Sequence, residues 1–168
     1  MGLAVSAVVG LFEGVISGLP LIVSFQSLIL GMAGNVGTQS LAVTVRFLAS
    51  SPAPTLSVSL KTIFKETKVA FLGGLAVGAI SLALVTAALL LGGNALSLAV
   101  SIGICVGLSM CFAMTVSGLV GALIPIVLYR FGVDPAVASG PLITTVNDLV
   151  AIVSYYTLSW LLLFGLVL

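Results

Sequence analysis

From Val69 to Leu128 the chain runs without a single charged side chain. A helix that is apolar all round must lie in the core of a large protein or in lipid, where hydrocarbon solvates its outer surface. A large soluble core is ruled out by composition. The 168 residues are 61% apolar and 5% charged, whereas a soluble domain carries about 25% charged residues. Too few polar groups exist to cover a water-facing surface. A membrane β-barrel is ruled out by pattern, because its strands alternate apolar and polar residues with period two and stretches such as Ile80–Leu91 do not alternate. The expected fold is all-α: a polytopic bundle of transmembrane helices with almost no soluble part.

Composition narrows the chemistry further. Five basic residues and a net charge of +1 form no extended basic face, so a nucleic-acid partner is not expected. There is no histidine, which removes a histidine-ligated metal and a histidine base. Cys105 and Cys111 are six apart in an apolar run. That is not a metal-ligand spacing, and on one helix they point to different faces, so both read as small packing residues. The N-terminus lacks the basic region and cleavage site of a signal peptide. Its first apolar run, Met1 to Ile16, is short for a span of about 20 residues. It reads as a helix entered partway, or as a piece of a longer protein.

Glycine, proline and charge divide the chain into one membrane domain of five segments, 1–18, 21–48, 69–91, 95–128 and 136–166. Polar loops cover 49–68 and 129–135, and Gly92-Gly93-Asn94 reads as a tight turn. Arg46, Lys61, Lys65 and Lys68 flank the first loop and Arg130 lies in the second. With five spans those loops share a side, and the other two connections carry no charge. The positive-inside rule then places both basic loops and the N-terminus in the cytoplasm, with the C-terminus outside. That orientation suits a multi-pass protein of the cell's inner (plasma) membrane. At the end of this loop Leu60–Val69 has the pattern of a short amphipathic helix, read either as a solvated interfacial turn with snorkelling lysines or as a gating or ion-attracting element. Repeats at four-residue spacing, Gly10/Gly14/Gly18, Gly74/Gly78 and Gly103/Gly107, are the pattern that lets helix backbones approach closely in lipid.

Of four acidic residues, Glu66 and Asp134 fall in the polar loops and Glu13 near the outer end of the first segment. Asp148 is different. Counted from Ala136 it lies about 18 Å into the last helix, near the bilayer midplane. A carboxylate there costs about 2.5–3.5 kcal/mol on insertion scales, and no lysine or arginine shares that depth. Such a group faces a watery cavity or a cation, or is protonated; the alternative is a structural Asp bonding a neighbouring helix. Gly140, Thr144 and Asp148 share one helix face. Pro141 removes an N–H and crowds the carbonyl of Val137, and bared carbonyls beside an Asp suit a hard cation. The second segment carries Gly31-Met32-Ala33-Gly34-Asn35-Val36-Gly37-Thr38-Gln39-Ser40 at mid-span, which reads as a matching break. Buried amides and hydroxyls need partners or water. The two segments together suggest a hydrophilic path, or alternatively tight packing with polar glue. Oxygen ligands without sulfur or imidazole favour magnesium or calcium.

These residues also resemble a known family. Gly31–Ser40 followed by Arg46 resembles the second transmembrane helix of the MgtE-type magnesium transporters, and Phe64-Lys65-Glu66 the start of its third. Pro125, Gly132-Val133-Asp134-Pro135-Ala136 and Gly140-Pro141-Leu142-Ile143-Thr144-Thr145-Val146-Asn147-Asp148 resemble the approach to its fifth helix and that helix itself. The similarity runs from about Gly10 to Leu163. It implies a homodimer surrounded by membrane lipid, with a Mg²⁺ pore on the dimer axis lined by the second and fifth helices. Asp148 would hold the hydrated ion, helped by the Thr144 carbonyl. Gly34, Asn35, Thr38, Gly140, Thr145 and Asn147 would line the pore. Asp134 would hold a second ion at the cytoplasmic mouth, with Glu66 a further candidate on that side. The family's regulatory part, an N-terminal domain and paired CBS modules, is not in this chain. Some relatives carry Asn where this chain has Thr38 and Gly140.

The chemistry agrees. Mg²⁺ dehydrates reluctantly, so a pore that takes the hydrated ion needs outer-sphere acceptors and modest charge. Two other readings stay open: an ion- or proton-coupled carrier in which Asp148 cycles a proton, and a non-transporting membrane module. An enzyme is not expected, because no nucleophile–base pair or catalytic metal cluster is present.

Overall fold

The computed structural model describes residues 2–18, 20–50, 54–135 and 141–164. The described residues are all-helical. α1 (Gly2–Leu11) and α2 (Glu13–Gly18) lead into α3 (Leu21–Ser50), α4 (Leu56–Leu91) and α5 (Leu96–Arg130). α6 (Pro141–Ser159) follows and continues as a π-helical turn, Trp160–Phe164. Three of these, α3, α4 and α5, are long and apolar enough to cross a membrane.

The described helices correct the expected boundaries in three places. The first segment is not one helix: it is divided at Phe12, whose N–H bonds the Val9 carbonyl at 3.0 Å and whose ring stacks on Tyr156 with centroids 5.4 Å apart. The Gly-rich stretch of α3 is not a break, since the helix runs unbroken for 30 residues. Glycine weakens a helix in water by exposing backbone, but here Gly37 is covered by a neighbouring helix. Most of the expected loop at 49–68 is helix, because α4 begins at Leu56 and runs for 36 residues. Its first turns stay ordered because Ser59 and Glu66 are buried on one side. Glu66 is therefore a buried helical residue, 6% exposed, and not a loop carboxylate in water. Residues 136–140, which include Gly140 and the Val137 carbonyl, lie outside the described residues.

α4 and α5 form an antiparallel hairpin. Gly93 takes φ 82° at its turn, a left-handed conformation that costs glycine little. The turn closes the helix by satisfying its last carbonyls: Gly92 N–H bonds Ala88, Gly93 N–H bonds Leu90, and the Asn94 side chain donates to Leu89 at 2.9 Å. Along the hairpin these glycines sit against the facing helix: Gly78 against Gly107, Gly74 against Cys111 and Gly103 against Thr86. A Cβ at Gly74 would stand 2.9 Å from the Cys111 carbonyl oxygen, and one at Gly107 would stand 2.8 Å from that of Gly78. Gly10 and Gly14, by contrast, have nothing within 4 Å of their Cβ positions.

α5 is the centre of the bundle, packed against α4, α3 and α6. Gly118 receives the Ala70 side chain of α4, and Gly121 receives the Gly37 backbone of α3. The core gathers Ile102, Val106 and Met110 of α5 with Ile29 of α3, Val85 of α4 and Ile152 of α6. α3 and α5 run parallel: Leu41 and Val45 pack beside Ile124 and Leu128. α6 runs antiparallel to α3. The Tyr155 hydroxyl donates to the Ile22 carbonyl at 2.6 Å and the Tyr156 hydroxyl to Gln26 Oε1 at 2.7 Å near one end, while Asn147 meets Gly37 farther along. Outward faces carry large apolar side chains such as Phe71, Leu75 and Leu84, as lipid requires. Since α4 opposes α3 and α5, all five basic residues gather at one end of the bundle.

Candidate ion path

α3 presents one polar face. Ser24, Ser27, Gly31, Asn35, Thr38 and Ala42 are exposed, and their steps of three and four residues place them on one helix face. A stripe of small and polar groups on the outside of a membrane helix is costly against hydrocarbon. Nothing stands within 4 Å of a Cβ at Gly31 or Gly34, so that face opens onto space. The Thr38 hydroxyl donates to the Gly34 and Asn35 carbonyls, each at 3.0 Å, which satisfies it within its own helix.

Gly37 serves a different purpose from Gly31 and Gly34. It is buried, and a Cβ there would fall on the Asn147 amide. Only glycine leaves room for that side chain, so Gly37 sets where α6 crosses α3. Asn147 is fully buried between the two helices, and neither of its amide atoms has a hydrogen-bond partner. It therefore lies behind the exposed stripe.

Asp148 is the next residue after Asn147. Gly37 lies near the middle of the 30-residue α3, so the contact carries Asp148 to the mid-length of that helix. Asp148 is half-buried and Thr144, one turn earlier on the same face, is exposed; Thr145 is half-buried. The basic residues lie at the bundle's end, and no described cation pairs with Asp148.

The other candidates lie elsewhere. Asp134 is exposed beyond the end of α5 and borders a hollow of about 230 Å³ with Val45, Leu48, Ala49, Tyr129 and Pro135. It stands at the basic end of the bundle, far along α3 from Gly37. Glu66 sits on α4, which packs chiefly on α5, and no described contact brings it to Asp148. Sequence reasoning missed Ser24 and Ser27, which extend the polar stripe. Their signal was present, since they continue the Gly31, Asn35, Thr38 spacing toward the start of α3. It also missed Tyr155 and Tyr156, the clamp that holds α6 on α3. Adjacent tyrosines deep in an apolar helix need partners for their hydroxyls, and that need was readable.

The divalent cation transporter family MgtE matches residues 26–158, most of the chain. The chain is 35% identical over 166 residues to the magnesium transporter MgtE of Enterococcus faecalis, covering 95% of this chain and 33% of that protein. It is 34% identical over 156 residues to the Bacillus subtilis protein of the same name, covering 93% and 33%. With the Thermus thermophilus protein, also named magnesium transporter MgtE, it shares 32% over 162 residues, covering 96% and 34%. The chain thus spans about a third of the length of each relative it matches. The matched region holds α4, α5 and nearly all of α3 and α6, so the likeness covers the bundle itself. The chain belongs to the MgtE family of divalent cation transporters.

Proposed function

We propose that this chain is the membrane part of a magnesium channel, and that Mg²⁺ passes along the polar stripe of α3 past Asp148. The observation that carries the reading is an unpaired carboxylate at mid-length of the bundle, beside the crossing with a helix whose exposed face is polar. A single copy would show that face to lipid. Two copies related by a twofold axis would enclose it and bring two Asp148 carboxylates toward one ion. Asp148 then supplies charge, Thr144 contributes its carbonyl, and Asn35 and Thr38 offer outer-sphere contacts to the ion's water. The two unbonded amide atoms of Asn147 fit a hydrated path close behind. Asp134 and its hollow form the ion's mouth at the basic end, which faces the cytoplasm of an inner-membrane protein. α1 with α2, α3, α4, α5 and α6 make the five spans.

Proteoliposome uptake of Mg²⁺ tests this. If a modest part of the carboxylate's electrostatic effect acts on the barrier, Asp148→Ala slows uptake about tenfold or more, since each 1.36 kcal/mol is a factor of ten. Uptake should follow the gradient and the membrane voltage. Normal uptake by the variant would remove Asp148 from the path. Strict dependence on a proton gradient would point instead to a coupled carrier.

A further inference from the structure

α4 is longer than a bilayer requires. Its 36 residues reach about 54 Å at 1.5 Å each, against about 30 Å of hydrocarbon. The uncharged stretch Val69–Leu91 alone reaches about 34 Å, with Phe71, Leu72 and Leu75 exposed along it. Leu56–Lys68 adds about 20 Å more. Lys65 and Lys68 therefore stand within the headgroup layer of about 5–8 Å, and Lys61, one turn farther out, can reach back to it along its side chain. At 100° per residue, Lys61, Lys65 and Lys68 fall within an arc of about 60°, and all three are exposed. Leu72 and Leu75 lie on the same side of the helix, so the lysines continue the surface that faces lipid.

The charge on this surface has one sign. Glu66, the carboxylate nearest in sequence, is turned away and buried. Asp134 borders the hollow between α3 and the end of α5. Exposed Leu60 and Phe64 flank the lysines, and with Lys61 they line a shallow groove on α4. Long lysine side chains lay their methylenes along apolar surface and carry the ammonium to the headgroup level.

We propose that Lys61, Lys65 and Lys68 form a binding face for the phosphodiester headgroups of anionic phospholipids. Each lysine at such a surface strengthens anionic-lipid association about fivefold. The surface fits lipid better than a protein partner because it runs without interruption into the lipid-facing stripe of α4. Apolar side chains and ammonium groups also occur there in the order that acyl chains and headgroups require.

Lipid titration of the purified chain in neutral detergent tests the proposal, with bound lipid read by native mass spectrometry and stability by thermal unfolding. Phosphatidylglycerol should bind and raise the unfolding midpoint, while phosphatidylcholine of the same acyl chains and inorganic phosphate should not. The triple variant K61Q/K65Q/K68Q should bind phosphatidylglycerol about tenfold or more weakly, and the triple Lys→Arg variant should keep it. Raising salt should release lipid from the wild type, which keeps the test decisive even if the glutamine variant fails to fold. Equal binding of the two lipids, salt-insensitive binding, or full binding by a folded glutamine variant would overturn the proposal. So would displacement of lipid by inorganic phosphate, or by soluble polyglutamate at lower concentration than the lipid. None of these readouts depends on whether the chain conducts Mg²⁺.

Discussion

At the scale of single residues, two neighbours on α6 divide the work. Asp148 carries charge to the middle of the bundle, and Asn147 decides where that charge stands by resting on Gly37. The contact leaves no room for a methyl group. Gly37→Ala should therefore cost about 1–3 kcal/mol as overpacking, even though alanine is the better helix former. Shortening the partner should recover much of the loss. In a double-mutant cycle with Asn147→Ala, thermal unfolding should show a coupling of about 0.5–3 kcal/mol; additive losses would mean that the two residues do not touch. Asp148 was legible in the sequence because a lone carboxylate in an apolar run has so few physical explanations. The seat of Asn147 was not. Whether a polar residue one position away faces a path or a neighbouring helix depends on the rotation of α6 against α3, which only packing sets.

Among the elements, glycine has two different uses that spacing alone does not separate. Gly74, Gly78, Gly103 and Gly107 close the α4–α5 hairpin, whereas Gly31 and Gly34 open onto space. Gly107→Ala pushes a methyl against backbone, which cannot swing aside as a side chain can. It should lower the thermal midpoint in detergent by several degrees, whereas Gly34→Ala should leave it level or raise it. Equal effects would mean that the hairpin is not held by close backbone approach. The Gly74/Gly78 and Gly103/Gly107 pairings were readable because lipid offers helices little reason to associate except close packing and hydrogen bonds. Gly10 and Gly14 carry the same spacing and no such contact. The start of α4 was read only in part, as a short amphipathic stretch at Leu60–Val69 inside a polar loop, whereas one helix runs from Leu56 to Leu91. Lys61, Lys65, Glu66 and Lys68 resemble a solvated loop, yet a helix with one buried edge at Ser59 and Glu66 can carry charge on its other faces.

For the whole molecule, the open face of α3 is the feature that one chain leaves unfinished. If two copies meet across it, a cysteine at Thr38 in each should crosslink in native membranes through a short bifunctional reagent, and one at the lipid-facing Leu75 should not. Cys105 is buried, so it adds little background; Cys111 is half-buried and is replaced by serine in both variants. Trapping of monomers alone at Thr38 would count against a path on a twofold axis. The all-helical membrane fold was legible from charge scarcity alone. The grouping of basic residues at one end was legible from the alternation of charged and uncharged connections, and the antiparallel α4–α5 and parallel α3–α5 packing reproduces it.

The central place of α5 also bears on how the bundle is made. Ribosomes emit α3, α4 and α5 before α6, and the tight turn at Gly93 lets α4 and α5 pair as soon as both have emerged. The notch that Gly37 contributes to the Asn147 contact needs only α3, so it can be in place before Asn147 is synthesised. α6 is not among the three described helices that are long and apolar enough to cross a membrane, and it carries the carboxylate of Asp148. If it enters after them, the contacts with α3 and α5 should help to draw it in.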